Sequence, residues 1–203
     1  MSYEVHEFHD IASHVDLPDH VVLGLETCIA SAFGGGITQD DAREHMAGQQ
    51  VLVANANLDG TYVVKGFSST TITSPAEVFG DGALSNEKGA YFAGAAICST
   101  AQGNGLYHDL NQRRVGFALD HGVETIFTRT QNPRVEEGIT ASVVRLVEEG
   151  VISTYGLSRI VCQGVYGKML TATRPSGRRV VYDDLDYANG DANILTWRLQ
   201  RYL

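Results

Sequence analysis

The sequence lacks any apolar run close to the roughly 18 residues that a membrane-spanning helix requires. Residues 1–20 have neither the positively charged start nor the apolar centre of a secretory signal peptide. The cysteines, Cys28, Cys98 and Cys162, are few, widely spaced and odd in number, which argues against the disulfide framework of a small secreted protein. Together these absences predict a protein of the reducing cytoplasm without a membrane partner.

Basic residues and metal-binding motifs are also scarce. The chain carries 15 Lys and Arg against 24 Asp and Glu, a formal charge of −9, and so lacks the basic surplus with which proteins bind nucleic acid. Neither a CxxC nor an HExxH motif occurs, and no metal site is expected. Hydrophobic residues reach 43%, too many for a disordered chain, and 203 residues can bury a core without disulfide or metal support.

The spacing of apolar residues predicts an α+β protein. Stretches with apolar residues three or four apart alternate with short β-rich runs, and glycines and prolines mark the turns between them. The run at 90–99 is almost wholly apolar, which is typical of a central strand buried on both faces, and residues 74–89 predict a long loop. The predicted strands are 3–9, 50–57, 62–73, 90–99, 124–130, 159–166, 180–182 and 194–198, and the predicted helices are 21–33, 38–46, 106–121 and 133–150.

The turn at residues 102–107, Gln-Gly-Asn-Gly-Leu-Tyr, connects the apolar strand to the next helix. Glycines at such a turn let a ligand approach the backbone, and the first N–H groups of a helix have no partner within the helix. The helix dipole adds partial positive charge at the same end, so the turn suits a pyrophosphate. The lysine of a nucleotide P-loop is absent, and a Rossmann turn needs a third glycine where His108 stands.

This segment resembles the GNAT acetyltransferase superfamily, whose signature is Gln/Arg-x-x-Gly-x-Gly/Ala. Gln102 and Gly105 match the signature, while Tyr107 replaces its final small residue. The resemblance covers roughly residues 1–170 in the order of elements and is strongest over 90–133.

The flanking residues extend the resemblance on both sides of the turn. Ile97 stands where the family places a valine, and Ser99 stands where a proline is common. Asn132 follows the next strand, as the family's coenzyme-A-contacting asparagine does. The cofactor-binding residues that the resemblance implies are Ile97, Cys98, Ser99, Gln102, Gly103, Asn104, Gly105, Leu106, Tyr107 and Asn132.

The resemblance implies acetyl-CoA as the cosubstrate. The backbone N–H groups of residues 103–107 would hold its pyrophosphate, and the strand edge at 95–99 would pair with the pantetheine like an added strand. In this family the strands on either side of the helix splay and leave a slot for the thioester. A backbone N–H near Ile97 would then face the thioester carbonyl as an oxyanion donor. The amine attacks directly, and positioning supplies much of the acceleration.

The sequence departs from the family at the general acid. Many members place a tyrosine seven residues after the asparagine, and here that residue is Ile139. Tyr166 is the candidate catalytic acid in its place, with Tyr155 as the second choice, and simple packing in a strand is the alternative role for Tyr166. No general base is assigned, because Glu87 fits a solvated loop residue equally well. Cys98 is interpreted either as a packed thiol or as an acyl carrier beside the thioester.

Two sets of charged residues leave further alternatives open. Arg113 and Arg114 either reach the adenosine 3′-phosphate of the cofactor or form an exposed helix face. Asp183, Asp184 and Asp186 either line a pocket for a cationic substrate or a metal, or form a solvated turn.

The sequence therefore predicts one α+β domain with a GNAT-like acyl-CoA N-acyltransferase fold, a mixed and mostly antiparallel sheet with helices on both faces. Residues 1–169 form the acetyltransferase domain, and residues 170–203 form a β-rich extension that covers the acceptor site or joins two copies into a homodimer. The expected activity is transfer of an acetyl or other short acyl group from acetyl-CoA to the amine of a small molecule or a lysine side chain, and the acidic composition favours a cationic acceptor. The alternative is a non-catalytic module of the same fold that binds coenzyme A or a metabolite.

Overall fold

The computed structural model describes residues 3–33, 38–58, 61–80, 84–166 and 181–202. The chain divides into two compact units, Met1–Thr71 with Ala93–Leu110 as the first, and Ile72–Phe92 with Asn111–Leu203 as the second. The strands are β1 (Glu4–Ile11), β2 (Gly48–Leu58), β3 (Thr61–Thr73), β4 (Gly89–Ile97), β5 (Thr125–Thr130), β6 (Thr154–Cys162) and β7 (Ala192–Gln200). The helices are α1 (Asp19–Phe33), α2 (Gln39–Glu44), α3 (Pro75–Phe79), α4 (Leu106–Asp120) and α5 (Pro133–Glu148). No helix in this described part of the chain has both the length and the apolar character needed to cross a bilayer.

Within the described residues, the strands form one mixed sheet of seven strands in the order β1-β2-β3-β4-β5-β7-β6. The pairs β1–β2, β2–β3, β5–β7 and β6–β7 run antiparallel, and β4–β5 run parallel. The predicted α+β class and the mixed, mostly antiparallel sheet are therefore confirmed. The apolar strand β4 occupies the middle of the order, as its composition predicts.

In the first unit, β2 separates two layers of side chains, because successive residues of a strand point to opposite faces. Val51 and Val53 pack into a core together with the buried residues of α1. Leu52, between them, packs on the other face with Leu106 at the start of α4. Helices therefore cover both faces of the sheet in this unit.

The core of the second unit joins α5 to the sheet. Ile139 of α5, Ile126 of β5 and Trp197 of β7 are fully buried in one cluster. Trp197 also donates its indole N–H to Thr140 Oγ1 at 3.0 Å, so the ring is oriented by a hydrogen bond as well as by packing. This combination packs the middle of α5 against β5 and β7.

Residues 74–89, predicted to be a loop throughout, contain the helix α3. Ser74 accepts a hydrogen bond from the N–H of Glu77, the carboxylate of Glu77 accepts one from the N–H of Ser74, and Pro75 takes the first helical position. The helix ends at Gly80, which has a left-handed φ of 66°. The prediction was wrong because the Gly, Pro, Asp and Asn content of this segment indicates a loop, whereas its capping box favours a helix.

The bounds and burial of β4 also differ from the prediction. The strand ends at Ile97, and Ser99–Ala101 form a short 3-10 turn. Its residues alternate between buried and half-buried, so the strand is not equally buried on both faces. The small side chains of this strand had made the two faces look alike in the sequence.

The last third of the chain departs furthest from the predicted strands. β6 spans Thr154–Cys162 rather than 159–166, so Tyr166 lies beyond the end of the strand. Val181 and Tyr182, predicted as part of a strand, have no regular secondary structure. Residue 180 and the predicted turns at 34–36, 59–60 and 175–177 lie outside the described residues.

Replacement of Leu25 with alanine is expected to lower the free energy of unfolding by about 2–5 kcal/mol, because this α1 side chain is 0% exposed and its loss leaves a cavity. The matched control is Leu23→Ala on the same helix, where the side chain is 66% exposed and the change should stay within about 0.5 kcal/mol. Urea denaturation followed by far-UV circular dichroism measures both. Equal losses for the two variants would contradict this assignment of the core.

Candidate functional site

The turn that follows β4 is exposed and depends on two glycines. Gly103 and Gly105 have φ angles of 82° and 79°, in the left-handed region that other residues enter only with strain. A Cβ added at either position would meet no atom within 4 Å. Backbone conformation, and not crowding, therefore requires these glycines, and the surrounding space is open to a ligand.

Two side chains of the turn return to the backbone and hold its shape. Gln102 donates from Nε2 to the carbonyl of Ile97 at 3.2 Å, at the end of β4. Asn104 donates from Nδ2 to the carbonyl of Ala101 at 3.3 Å. The glutamine that matches the family signature thus ties the turn to the strand before it.

Leu106 anchors the start of α4, because its side chain is buried in the core of the first unit. Gly66 of β3 lies so close that an added Cβ would be 2.7 Å from Cδ1 of Ile97 and 3.2 Å from Cδ2 of Leu106. A larger residue at position 66 would therefore displace the ends of these two side chains. The N-terminus of α4, which is the positive end of its helix dipole, therefore lies at the exposed turn, where an anion would be stabilised.

A β-bulge in β3 supplies a partner for the backbone at the end of β4. The register between β2 and β3 shifts at Ala54/Asn55, which leaves Lys65 as the extra residue. The carbonyl of Lys65 accepts the N–H of Cys98 at 2.8 Å. The N–H of Cys98 is therefore already bonded, and the oxyanion donor near Ile97 stays a prediction.

Hydroxyl and thiol groups gather beside the end of β4. Ser31 of α1 lies with its Oγ 2.8 Å from Oγ of Ser99 and accepts the N–H of Ser99 at 3.2 Å. Sγ of Cys98 lies 3.5 Å from Oγ of Ser31 and 3.5 Å from Oγ1 of Thr100. The predicted site residues Cys98 and Ser99 therefore meet Ser31, which has no local signal in the sequence because it comes from a distant helix.

Two cysteines of the first unit have opposite pKa shifts. Burial, together with the neighbouring Cys98, raises the pKa of Cys28 to about 12. Burial also disfavours the thiolate of Cys98, but hydrogen bonds from Ser31 and Thr100 and the charge of Lys65 outweigh it, so the pKa of Cys98 is lowered. Cys98 is therefore the more reactive of the two thiols.

In the second unit, Asn132 is positioned as the N-cap of α5. Its side-chain oxygen accepts the N–H of Arg134 at 3.0 Å, and its own N–H donates to Oγ1 of Thr130 at 3.0 Å. Pro133 takes the first helical position, where its missing N–H costs nothing. The amide oxygen of Asn132 thus has a structural task, and the predicted contact with coenzyme A would use its amide nitrogen.

Tyr166 is held by the turn that precedes β7. Its N–H donates to the carbonyl of Gly190 at 2.9 Å, and Gly190, with a φ of 78°, lies so close that any side chain there would overlap the carbonyl of Tyr166. Asn189 and the N–H of Gly164 both donate to Asp191 and lower the pKa of its carboxyl. A contact that only glycine permits therefore fixes the backbone of Tyr166.

Tyr166 belongs to a cluster of aromatic rings around Arg129 of β5. Its hydroxyl donates to the carbonyl of Arg129 at 3.3 Å, and the guanidinium carbon of Arg129 lies 4.9 Å from the ring centre of Tyr166 and 5.3 Å from that of Phe79. Phe79 packs edge-on against Tyr91 and Phe127, whose rings stack at 5.2 Å. Sequence reasoning missed this cluster; alternation along β5 puts Phe127 and Arg129 on one face, but the other rings come from distant segments.

The two arginines of α4 have different environments. Arg114 is buried, its guanidinium carbon lies 3.9 Å from the ring centre of Phe92, and it donates to Oδ1 of Asn111 at 3.3 Å. Arg113 is exposed. The suggestion that both reach the 3′-phosphate is therefore wrong for Arg114, which is a core residue, and only Arg113 keeps that role as a prediction.

The structure also shows the surroundings of the other residues considered for proton transfer. Ile139 lies fully buried in the core of the second unit, so the usual tyrosine position supplies no hydroxyl. Tyr155 of β6 packs against the same core. Glu87 is exposed in the loop before β4. Tyr166 therefore stays the predicted acid, and no general base is assigned.

A groove of about 780 Å³ lies in the second unit between α5, β6 and the segment that includes Tyr182. Glu136 in this groove accepts two hydrogen bonds from Nη2 of Arg159, at 2.9 and 2.8 Å, and one from the hydroxyl of Tyr182 at 2.9 Å. Burial and the hydrogen bond to Glu136 raise the pKa of Tyr182. Asp183 and Asp184 complete its acidic lining, and Asp184 lies 3.8 Å from Arg159.

The three aspartates that sequence analysis grouped do not act together. Asp183 and Asp184 line the groove, whereas Asp186 accepts the N–H groups of Ala188 and Asn189 and shapes the turn. In the part of the chain that the structure describes, no three His, Cys, Asp or Glu side chains are grouped as metal ligands would be.

No protein-family model matches the sequence, and no curated protein matches it either. Among solved structures, a Desulfovibrio desulfuricans protein assigned to the GNAT family matches with a TM-score of 0.53 and 16% identity over 98% of this chain and 99% of that one. Naa20 of Chaetomium thermophilum, in complex with a bisubstrate analogue, matches with a TM-score of 0.53 and 10% identity over 97% and 86%. An IAA acetyltransferase from Bacillus cereus matches with a TM-score of 0.52 and 12% identity over 98% and 99%. The chain therefore has the fold of the GNAT acetyltransferases, and the predicted fold is confirmed.

Replacement of Ser31 with alanine is expected to slow the alkylation of Cys98 at pH 7.5 by about 2- to 10-fold, because one hydrogen bond to the thiolate is lost and the pKa of Cys98 rises. The matched control is Thr27→Ala, one turn earlier on α1, where the hydroxyl bonds to the carbonyl of Leu23. Mass spectrometry of iodoacetamide-treated protein separates the rate at Cys98 from those at the other cysteines. Identical rates in the two variants would show that Ser31 does not tune this thiol.

Proposed function

We propose that this protein is an acetyl-CoA-dependent N-acetyltransferase that passes an acetyl or other short acyl group to an amine. The observation that carries the proposal is the exposed turn at Gly103 and Gly105, left-handed at both glycines and leading into α4, in a chain with the GNAT fold. Such a turn offers backbone N–H donors at the positive end of a helix dipole, which suits the pyrophosphate of coenzyme A.

Each predicted cofactor residue has a role in this proposal. The backbone N–H groups of residues 103–107 bind the pyrophosphate, and Gln102 keeps the turn in shape through its bond to Ile97. The strand edge that ends in Ile97, Cys98 and Ser99 pairs with the pantetheine as an added strand would. Asn132 contacts coenzyme A through the amide nitrogen that its capping role does not use.

The reaction is a direct attack of the neutral amine on the thioester carbonyl. A C–N bond forms, the C–S bond breaks, the coenzyme A thiolate leaves, and the amine nitrogen releases its extra proton to water. The N–H of Ile97 stabilises the developing oxyanion, and the hydroxyl of Tyr166 gives its proton to the thiolate. Because attack is direct, the thiol of Cys98 is not needed as an acyl carrier.

The acceptor is an amine on a small molecule or a lysine side chain, and a second copy of the chain is the proposed protein partner. Pairing of two copies would use β6, which is last in the strand order and exposes Ile160 and Val161. All three cysteines are free thiols, which supports a reducing compartment such as the cytoplasm.

The second candidate function is that of a non-catalytic module that binds coenzyme A or a metabolite. Ile139 favours it, because the position that holds the acid in many GNAT enzymes is here a buried aliphatic residue. The two functions share the cofactor site and differ in whether any amine is acylated.

Replacement of Gly105 with glutamate is expected to weaken acetyl-CoA binding by more than about 100-fold, because it puts a carboxylate where the pyrophosphate lies. Calorimetric titration with acetyl-CoA and with free coenzyme A measures the affinity. Gly116→Glu is the matched control, since Gly116 lies within α4 with open space around it and receives the same charge.

Gly105→Ala separates the effect of charge from that of backbone strain. It imposes the unfavourable φ of 79° on a residue with a Cβ but adds no charge, so a smaller loss than for glutamate is expected. Absence of coenzyme A binding by the wild type would sink the proposal, and so would equal binding by the Gly105→Glu and Gly116→Glu variants. Binding without acyl transfer to any amine in a broad panel would favour the non-catalytic module.

Replacement of Tyr166 with phenylalanine is expected to lower kcat for acetyl transfer by about 100-fold, within the usual contribution of a general acid, while the affinity for acetyl-CoA is kept. Tyr155→Phe is the control, because Tyr155 packs against the core and should leave kcat within about twofold. Stopped-flow and steady-state kinetics at several pH values give the comparison. A normal kcat for Tyr166→Phe would remove this residue from the mechanism.

A further inference from the structure

Arg129 is a half-buried cation that lacks an acidic partner. Among the residues that the structure describes, its buried Nε has no hydrogen-bond acceptor and its guanidinium forms no ion pair with an acidic side chain. By contrast, Arg43, which is also half-buried, and the exposed Arg159 are both bound to glutamates. The chain carries 24 Asp and Glu against 15 Lys and Arg, so shortage of acids does not explain the difference.

The rings around Arg129 stabilise its charge but use none of its hydrogen-bond donors. The ring centres of Tyr166 and Phe79 lie 4.9 and 5.3 Å from the guanidinium carbon, within the range of a cation–π contact. A guanidinium carries five N–H donors in a planar fork whose shape matches a carboxylate. A partly desolvated fork without an acceptor is costly, so these surroundings favour an anionic ligand.

The neighbouring phenol does not supply that anion. Burial raises the pKa of Tyr91 to about 12, and although the positive charge of Arg129 works against this, Tyr91 stays protonated at neutral pH. Its ring stacks on Phe127 and meets Phe79 edge-on. Among the described residues, the side chains whose rings surround Arg129 are all aromatic and include no Asp or Glu.

The position of Arg129 links it to the residues of the proposed reaction. It precedes Asn132 by three residues on the same stretch of chain, and its carbonyl accepts the hydroxyl of Tyr166, the proposed acid. The guanidinium carbon lies 4.9 Å from the ring centre of Tyr166. An acceptor bound to Arg129 through one end would thus present a group a few bonds away close to the proposed proton donor.

We propose that Arg129 binds the carboxylate of the acceptor, so that the acceptor is an amino acid or another amine that carries a carboxylate. This inference rests on the proposed acetyl transfer and names the substrate class of that site. The carboxylate forms two parallel hydrogen bonds to the guanidinium fork, and the amine a few bonds away attacks the thioester.

A polycationic acceptor is the competing class, and the acidic groove beside α5 is the feature that suggests it. The carboxylate of Glu136 in that groove is already bound by Arg159 and Tyr182, which reduces its attraction for a further cation. The carboxylate-bearing acceptor is favoured because Arg129, unlike Glu136, has no charged partner in the described part of the chain.

The test compares amines that differ only in the carboxylate. The panel contains the protein amino acids and the amines formed by removal of their α-carboxyl groups, with putrescine and spermidine added for the competing class. We expect the best amino acid to exceed its own decarboxylated amine by about 10- to 100-fold in kcat/KM, the range expected for hydrogen bonds to a charged group. Arg129→Gln should abolish this preference, and Arg129→Lys should keep part of it, since a lysine keeps the charge but not the fork.

Arg145→Gln is the matched control, because Arg145 pairs with Glu149 on the exposed face of α5 and loses the same charge. Its preference for the amino acid should equal that of the wild type. Circular dichroism spectra and acetyl-CoA titrations of each variant show that fold and cofactor binding are kept. Equal kcat/KM for amino acids and their decarboxylated amines, or an unchanged preference in Arg129→Gln, would overturn the proposal.

A binding measurement keeps this inference separate from the proposed function. The same compounds are titrated calorimetrically into wild type and Arg129→Gln without acetyl-CoA. Heat with amino acids that is lost both in Arg129→Gln and with the decarboxylated amines supports the carboxylate site even if no acyl transfer occurs. Failure of every amino acid to bind the wild type overturns the carboxylate site while leaving acetyl transfer to other amines intact.

Discussion

The backbone polar groups at the end of a strand must find new hydrogen-bond partners, because the pairing with the neighbouring strand stops there. Residues of the candidate site provide such partners. At the end of β4, the carbonyl of Ile97 accepts a side chain from the glycine turn, and the N–H of Cys98 donates to the bulged Lys65. β4 pairs with β5 at Ala90 and Tyr91. At the next residue, Phe92, the carbonyl accepts a hydrogen bond from Oγ1 of Thr128. The hydrogen bonds at the end of β4 therefore also hold the shape of the glycine turn and the backbone of Cys98.

Two arginines of this acidic chain lie against aromatic rings. Arg114 is buried against the ring of Phe92, and the guanidinium of Arg129 lies close to the rings of Phe79 and Tyr166. A guanidinium tolerates such surroundings because its charge is delocalised and its flat face stacks on a ring. The two arginines differ in their hydrogen bonds, since the guanidinium of Arg114 donates to Asn111 within its own helix, while the buried Nε of Arg129 has no acceptor among the described residues. This difference separates an arginine that supports the core from one that is suited to a ligand.

Local signals in the sequence predicted most of the helices and strands but not the residues at which each begins and ends. The helix that follows Asn132 and Pro133 begins where the cap and the proline place it, and α4 begins directly after Gly105. The helix α3 was missed although its capping box between Ser74 and Glu77 is a local signal. The end of β6 was misplaced for another reason, because Val165 and Tyr166 are typical strand residues while the pairing with β7 stops at Cys162.

The sequence by itself determined the features that depend on neighbouring residues. A left-handed turn at Gly103 and Gly105 needs only the absence of Cβ atoms, and the resemblance of residues 90–133 to the GNAT superfamily was enough to predict the fold. Tertiary structure alone decided the surroundings of Arg129, since β7 enters the sheet between β5 and β6 and the turn before it brings Tyr166 to β5. The proximity of Ser31 to Cys98 likewise depends on how a helix packs against a strand far along the chain. Contacts of this kind follow from strand order and packing, which no local pattern of residues specifies.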